Sequence, residues 1–352
     1  MKISLNEFDS KRLENLNVRF QNNGAAFEVV ADFVNRNERF ITPEMLNQIV
    51  EEYQMQPSLA YAMLLASACG LEIYDNQAHK EFFNDYFSPS VRELNVKDFS
   101  SDKYLKTIKF PKKTFKNWEF TYLNYSPCEA FVFDEPVLTS DFREYPQIGF
   151  FSENFTFPAV MQDGREWMAV KPNEIMTMQQ PLENAHGKVL TLGLGLGYFA
   201  FMSSEKKSVE SVTIVEKDEN IIKLFSDELL PQFPEKQKIT IINDDAFEYM
   251  ERLLEKEKHF DYIFSDIWHD TSDGLPMYLK LKRLNSKLKG VECDYWIEKS
   301  LLSSLRFTVF NQMYKIFKTP SQTSSENEKV IKTYREFTDM ISDSGLKSIK
   351  IK

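Results

Sequence analysis

Three glycines and four acidic side chains, spread over residues 189–266, carry the chemistry legible in this chain. Gly193, Gly195 and Gly197 alternate with leucines directly after an apolar run at residues 189–192. A strand that ends in such a turn and leads into a helix lets backbone approach a nucleotide closely, because no Cβ intervenes. Leu194 offers its backbone at the same place. Glu216 closes the next apolar run, nineteen residues after Gly197. An acid at that distance can accept hydrogen bonds from both ribose hydroxyls of an adenosine, and Lys217 lies beside it. The run 239–242 leads into Asn243, Asp244, Asp245, Ala246 and Phe247. Asp245 suits the adenine amino group, with Asp244 in the same turn and Ala246 beside the ring. The run 262–265 ends at Asp266, followed by Ile267, Trp268, His269 and Asp270.

Each signal alone has a plainer reading. The glycines could form an ordinary tight turn, Glu216 or the Asp244–Asp245 pair could cap a helix, and His269 could be a polar loop residue. Four strand ends in order, each with the residue type a nucleotide crevice needs, favour the site.

For these side chains to converge they must lie beyond the carboxyl ends of neighbouring parallel strands. Strands alternating with helices over residues 188–300 predict an α/β fold, a doubly wound, mostly parallel Rossmann-like sheet. A small β-rich module and a helical N-terminal domain precede it. The expected division is 1–114 helical accessory domain, 115–172 β-rich hairpin module, and 173–352 Rossmann-like domain. Helical spacing of apolar residues marks 26–34 and 45–50, and Thr42-Pro43 reads as a cap with proline at the first helical position. Asp163-Gly164, between two strand-like runs, signals a hairpin. Asn173 reads as the cap of the next helix. Residues 291–297 are a candidate fifth strand, 321–327 a polar linker, and 346–352 an edge strand. Gly274 and Pro276 suggest a hinged loop over 270–276.

The 352 residues carry a net charge of −10, with 42% apolar and 27% charged side chains. That balance argues against general affinity for nucleic acid. Lys106, Lys109, Lys112, Lys113 and Lys116 cluster, and read as a solvated loop edge. Three widely spaced cysteines give neither a disulfide framework nor a zinc spacing, so no metal is expected. Residues 59–71 form the longest apolar stretch, too short for a membrane span. With no export segment at the N-terminus, a reduced, cytoplasmic protein is expected.

Two cofactors compete for the crevice. Gly195-Leu196-Gly197-Tyr198-Phe199-Ala200 satisfies the dinucleotide pattern G-x-G-x-x-A. The alternation Gly-Leu-Gly-Leu-Gly, however, closely resembles the first motif of class I S-adenosylmethionine-dependent methyltransferases. Within that superfamily the chain resembles spermidine synthase-like proteins over roughly residues 155–300. Gln162-Asp163-Gly164 followed by Asn173-Glu174-Ile175 is similar to the family's hairpin and its Asp-Glu-Phe segment. Residues 245–250 resemble its Asp-Gly-Phe-Glu-Phe-Met stretch, and Asp266 falls where the family keeps a proton-accepting carboxylate. Three departures stand out: Leu196 replaces an acid of the first motif, Thr177 and Gln179 replace a tyrosine and a glutamate, and residues 266–270 differ from Asp-Ser-Ser-Asp-Pro.

A site for a diamine should be rich in carboxylates, since a buried dication requires paired charge. The lost acids therefore point to methyl transfer from S-adenosyl-L-methionine to a small-molecule acceptor. Asp266 and His269 are the candidate proton acceptors. Gly193, Leu194, Gly195, Gly197, Glu216, Lys217, Asp244, Asp245, Ala246 and Asp266 are the candidate cofactor contacts. Trp268, Trp167 and Glu174 are the candidate substrate contacts. A branched side chain at Gly195 is expected to fill the cofactor's space. The alternatives are an aminopropyltransferase, or a non-catalytic nucleotide-binding protein acting through its helical N-terminal region, which is also the candidate homodimer contact.

Overall fold

The computed structural model describes residues 7–255 and 260–318, with Lys332. Two compact units share the chain, and both are discontinuous: 1–93, 129–149 and 299–352 in one, 94–128 and 150–298 in the other. The three consecutive domains expected from the sequence differ from this partition, because the chain passes between the units more than once. The expected linker and edge strand at 321–327 and 346–352 lie outside the described residues.

In chain order the strands are β1 (Val91–Leu94), β2 (Lys113–Phe115), β3 (Trp118–Tyr125) and β4 (Phe131–Leu138). Next come β5 (Glu144–Phe151), β6 (Phe155–Gln162), β7 (Arg165–Ala169) and β8 (Gly187–Leu192). The last are β9 (Val209–Glu216), β10 (Ile239–Asn243), β11 (Tyr262–Ser265) and β12 (Glu292–Tyr295).

The first unit is chiefly helical. Thr42 accepts the Met45 N–H at 3.3 Å and Pro43 opens the helix Pro43–Tyr53. The apolar stretch near residue 60 is the helix Pro57–Ala68, with Ala60, Tyr61, Ala62, Leu65 and Ala66 buried. Phe20 stacks on Phe310 at 4.1 Å between ring centroids. A buried ion pair joins Arg306 to Glu144 at 2.6 Å.

The second unit holds two sheets. An antiparallel sheet runs β2-β3-β6-β7. Its β6–β7 hairpin turns at Asp163 and Gly164, whose φ values of 51° and 77° are the left-handed pair that a two-residue turn demands. The other sheet has five parallel strands in the order β10-β9-β8-β11-β12. Val189, Leu190, Leu192, Val212, Ile214, Val215, Ile263 and Phe264 are buried in its strands, as expected for a parallel sheet covered by helices on both faces. The chain winds from β8 outward to β10, then returns to β11 on the other side of β8. This reversal creates a crevice at the carboxyl ends of β8 and β11, where the glycine turn and Asp266 stand.

Among the described residues no helix is long and apolar enough to cross a membrane. None of their His, Cys, Asp and Glu side chains gather in threes as a metal site.

Candidate active site

The glycine turn folds as its composition requires. Gly193, Gly195 and Gly197 have φ of 98°, 51° and 73°, values that L side chains adopt only under strain. Each is also closely packed. A Cβ on Gly193 would stand 1.9 Å from the Asp266 carbonyl oxygen, and one on Gly197 would stand 2.4 Å from the Phe225 ring. At Gly195 the neighbour is the Met168 sulfur, 2.1 Å from the Cβ position. The expectation for a branched residue at 195 is thus corrected: it would meet Met168 and a strained backbone.

Glu216 closes the turn from the next strand. One carboxylate oxygen accepts the Leu194 N–H at 3.2 Å and the other accepts the Asp218 N–H at 2.9 Å. Lys217 is exposed, and its carbonyl accepts an Asn243 side-chain N–H at 3.0 Å. Asp245 has one oxygen committed to capping the helix Ala246–Glu255, where it accepts from Phe247 N–H at 2.9 Å and Glu248 N–H at 3.1 Å. Its second oxygen makes no bond to described residues. Asp244 pairs with Arg252, and Ala246 is buried at the strand end. Of this acidic pair, Asp245 thus caps the helix.

The electrostatic centre is Glu174 with Asp266. Glu174 is buried on the helix Pro172–Thr177, which begins one residue before the expected cap Asn173. Lys171 occupies the cap position without capping the helix, because its ammonium has no acceptor to offer, and Pro172 supplies the helical φ of the first turn. One Glu174 carboxylate oxygen is buried without a hydrogen-bond partner. Burial raises the Glu174 carboxyl well above the ordinary range, the Asp266 charge raises it further, and Lys171 opposes both. Lys171 is itself paired with Glu166 at 2.5 Å. Asp266, only partly open to solvent, is raised by burial and then by the charge of Glu216. Glu174, Asp266, Glu216 and Glu166 thus share one electrostatic neighbourhood with the Lys171 cation.

Aromatic side chains border this neighbourhood. Trp167 is 46% exposed, lies 5.5 Å from the His269 ring and meets Trp118 edge-on at 5.9 Å. Trp268 is buried, with its indole N–H unpartnered. The expected hinge at 270–276 is a correction. A helix runs over Thr271–Asn285, where the Asp273 carboxylate accepts the Asp270 N–H at 2.9 Å and Asp270 accepts the Ser272 N–H at 2.6 Å. This reciprocal cap outweighs the glycine and proline.

Met168 and Tyr104 also contact the turn, with no signal in the sequence to mark them. The Met168 sulfur accepts the Leu196 N–H at 3.3 Å, and the Tyr104 hydroxyl donates to the Leu196 carbonyl. Neither residue type advertises such a role.

Residues 171–283 match the family described as Spermine/spermidine synthase domain. A polyamine aminopropyltransferase of Leptospira interrogans serogroup Icterohaemorrhagiae serovar copenhageni (strain Fiocruz L1-130) is 38% identical over 98 residues. The resemblance is to an aminopropyltransferase. That stretch covers 26% of this chain and spans 19% of the relative's length. Among solved structures, a spermidine synthase in complex with the transition state analogue AdoDATO is 21% identical, with a TM-score of 0.27. It covers 34% of this chain and 44% of that one. The spermidine synthase from Thermotoga maritima is 16% identical with a TM-score of 0.31, covering 43% and 54%. The family and curated matches overturn the expected methyltransferase and its S-adenosyl-L-methionine. The matched segment contains the glycine turn, Glu174, Glu216, Asp245 and Asp266.

Proposed function

We propose that this chain is a spermidine synthase-like aminopropyltransferase, which moves a 3-aminopropyl group from decarboxylated S-adenosylmethionine to an amine. Buried Glu174 beside the partly exposed Asp266 is the observation that carries this reading. Two raised carboxyls with one already-paired lysine nearby form a place where a cationic amine lowers the energy of every member. Leu196, Thr177 and Gln179 suggested too few acids for a polyamine, and the acids retained around Asp266 answer that objection.

The donor supplies an electrophilic carbon bonded to a sulfonium, so that the leaving 5′-methylthioadenosine is neutral. The acceptor nitrogen forms a bond to that carbon, the carbon–sulfur bond breaks toward sulfur, and the nitrogen loses one proton. Asp266 takes that proton. Its raised affinity for protons, owed to burial and to Glu216, matches a base working near neutral pH. Glu174 holds the amine by charge, Glu216 and the glycine turn hold the ribose, and Asp245 with Ala246 frames the adenine. Trp268 excludes water at the acceptor side, and Trp167, set beside His269, presents its ring to the amine.

The test is 5′-methylthioadenosine formation from decarboxylated S-adenosylmethionine with putrescine, cadaverine, spermidine and a monoamine. Amine-dependent product is expected. Binding of the donor without turnover on any amine would favour a non-catalytic nucleotide-binding role, and failure to bind it would overturn the reading.

A further inference from the structure

Leu196 occupies the place where an acid stands in the motif this turn resembles, yet it is fully buried. It cannot offer a side-chain contact to a ligand. Its backbone, however, is gripped on both sides by side chains from distant segments: the carbonyl by the Tyr104 hydroxyl and the N–H by the Met168 sulfur. Tyr104 is held in turn. Asp102 caps the short helix Lys103–Thr107, accepting the Tyr104 N–H at 2.8 Å and the Leu105 N–H at 3.2 Å. Its other carboxylate oxygen accepts the Tyr198 hydroxyl at 3.0 Å, one residue beyond the turn. The Tyr104 ring meets Tyr198 at 5.4 Å and Phe201 at 5.2 Å, both edge-on. Asp102, Tyr104, Leu196 and Tyr198 thus form one closed circuit across the glycine turn.

We propose that Tyr104, with Asp102 and Met168, is a positioning residue for the donor, fixing the glycine turn from outside the family-matched segment 171–283. Three of the turn's other N–H groups are already engaged: Gly193 with the Val215 carbonyl at 2.9 Å, Leu194 with Glu216, and Gly197 with the Leu194 carbonyl at 2.8 Å. A turn so braced meets a nucleoside in its final shape and loses little entropy on binding. The Tyr104 hydroxyl is suited to the task, since burial and the Asp102 charge keep it protonated as a donor.

This inference rests on the donor site proposed above, and the experiment separates the two. Calorimetric binding of 5′-methylthioadenosine is measured for the wild type, Tyr104→Phe, Tyr198→Phe and Met168→Leu. Donor KM and kcat are followed in parallel with thermal unfolding. Tyr104→Phe removes one hydrogen bond and keeps the ring packing. Its 5′-methylthioadenosine Kd and donor KM are expected to rise about three- to ten-fold, the worth of one neutral hydrogen bond, with kcat nearly unchanged. Tyr198→Phe, which frees only the Asp102 end of the circuit, should give a smaller rise. Met168→Leu, which leaves the Leu196 N–H unpaired, should give a similar one. A wild type that fails to bind 5′-methylthioadenosine would refute the donor site itself. Normal wild-type binding with equal affinity in Tyr104→Phe and Met168→Leu would refute the positioning role alone. A Tyr104→Phe protein of lowered stability but unchanged KM would show a purely structural bond and refute it as well.

Discussion

The Asp266 carbonyl oxygen lies where a Cβ on Gly193 would have to be, 1.9 Å from the ideal position. This contact ties the end of β8 to the end of β11, the two strands flanking the crevice. The glycine sets how closely the proposed base approaches the nucleotide turn. Gly193→Ala should therefore combine backbone strain at φ 98° with a displaced Asp266. A loss of about 1–3 kcal/mol in unfolding free energy is expected from the backbone conformation alone, read by chemical denaturation. Activity should fall further than stability explains. Normal kcat in Gly193→Ala would show that this approach does not matter to the chemistry.

Asp266→Asn keeps shape and removes the proton acceptor. A fall in kcat of about 10²–10⁴-fold is expected, with 5′-methylthioadenosine affinity nearly unchanged, because Glu216 and the turn remain. In the wild type, burial and the Glu216 charge raise the Asp266 carboxyl, so kcat should climb with pH through a limb above the ordinary carboxylate range. Glu216→Gln removes that negative charge, and the limb should move to lower pH while donor KM rises. A pH profile identical in wild type and Glu216→Gln would break the proposed coupling.

How much of this site the sequence made legible follows from which features are local. The glycine turn, Glu216 and Asp266 sit at the ends of apolar strands, so type and spacing place them directly. The parallel sheet was legible for the same reason. Met168 and Tyr104 act through one sulfur and one hydroxyl, and only tertiary folding carries them to Leu196. The segment 270–276 misled because glycine and proline favour loops, whereas Asp270 and Asp273 cap each other's backbone and start a helix. The count of acids near particular motifs points to methyl transfer. Burial governs the strength of such a site, and burial of Glu174 is invisible in a one-dimensional count.

Trp167 offers an exposed indole face beside His269, suited to the cationic end of an amine. An exposed cation–π contact is worth about 0.5–1 kcal/mol. Trp167→Ala should then raise acceptor KM by about two- to five-fold and leave donor KM alone, while Trp167→Phe should recover part of the loss. Steady-state kinetics with the donor saturating reads this directly. An effect confined to donor KM would place Trp167 on the nucleotide side instead.

In the first unit, Glu135 caps the helix Glu298–Lys318 from β4, accepting the Lys299 N–H at 2.7 Å and the Ser300 N–H at 3.2 Å. Burial outweighs these bonds and the nearby Lys299, and pushes the carboxyl from its ordinary 4.5 to about 7. A group raised on folding binds its proton more tightly in the native state. Its stabilising contribution is complete below pH 4.5 and is lost as pH rises through about 7. Thermal stability should thus decline between pH 5 and 8 by more in the wild type than in Glu135→Gln, whose amide oxygen still accepts both N–H groups and does not ionise. The variant should also be the more stable of the two at pH 8. Parallel unfolding curves across that range would show that Glu135 does not titrate there.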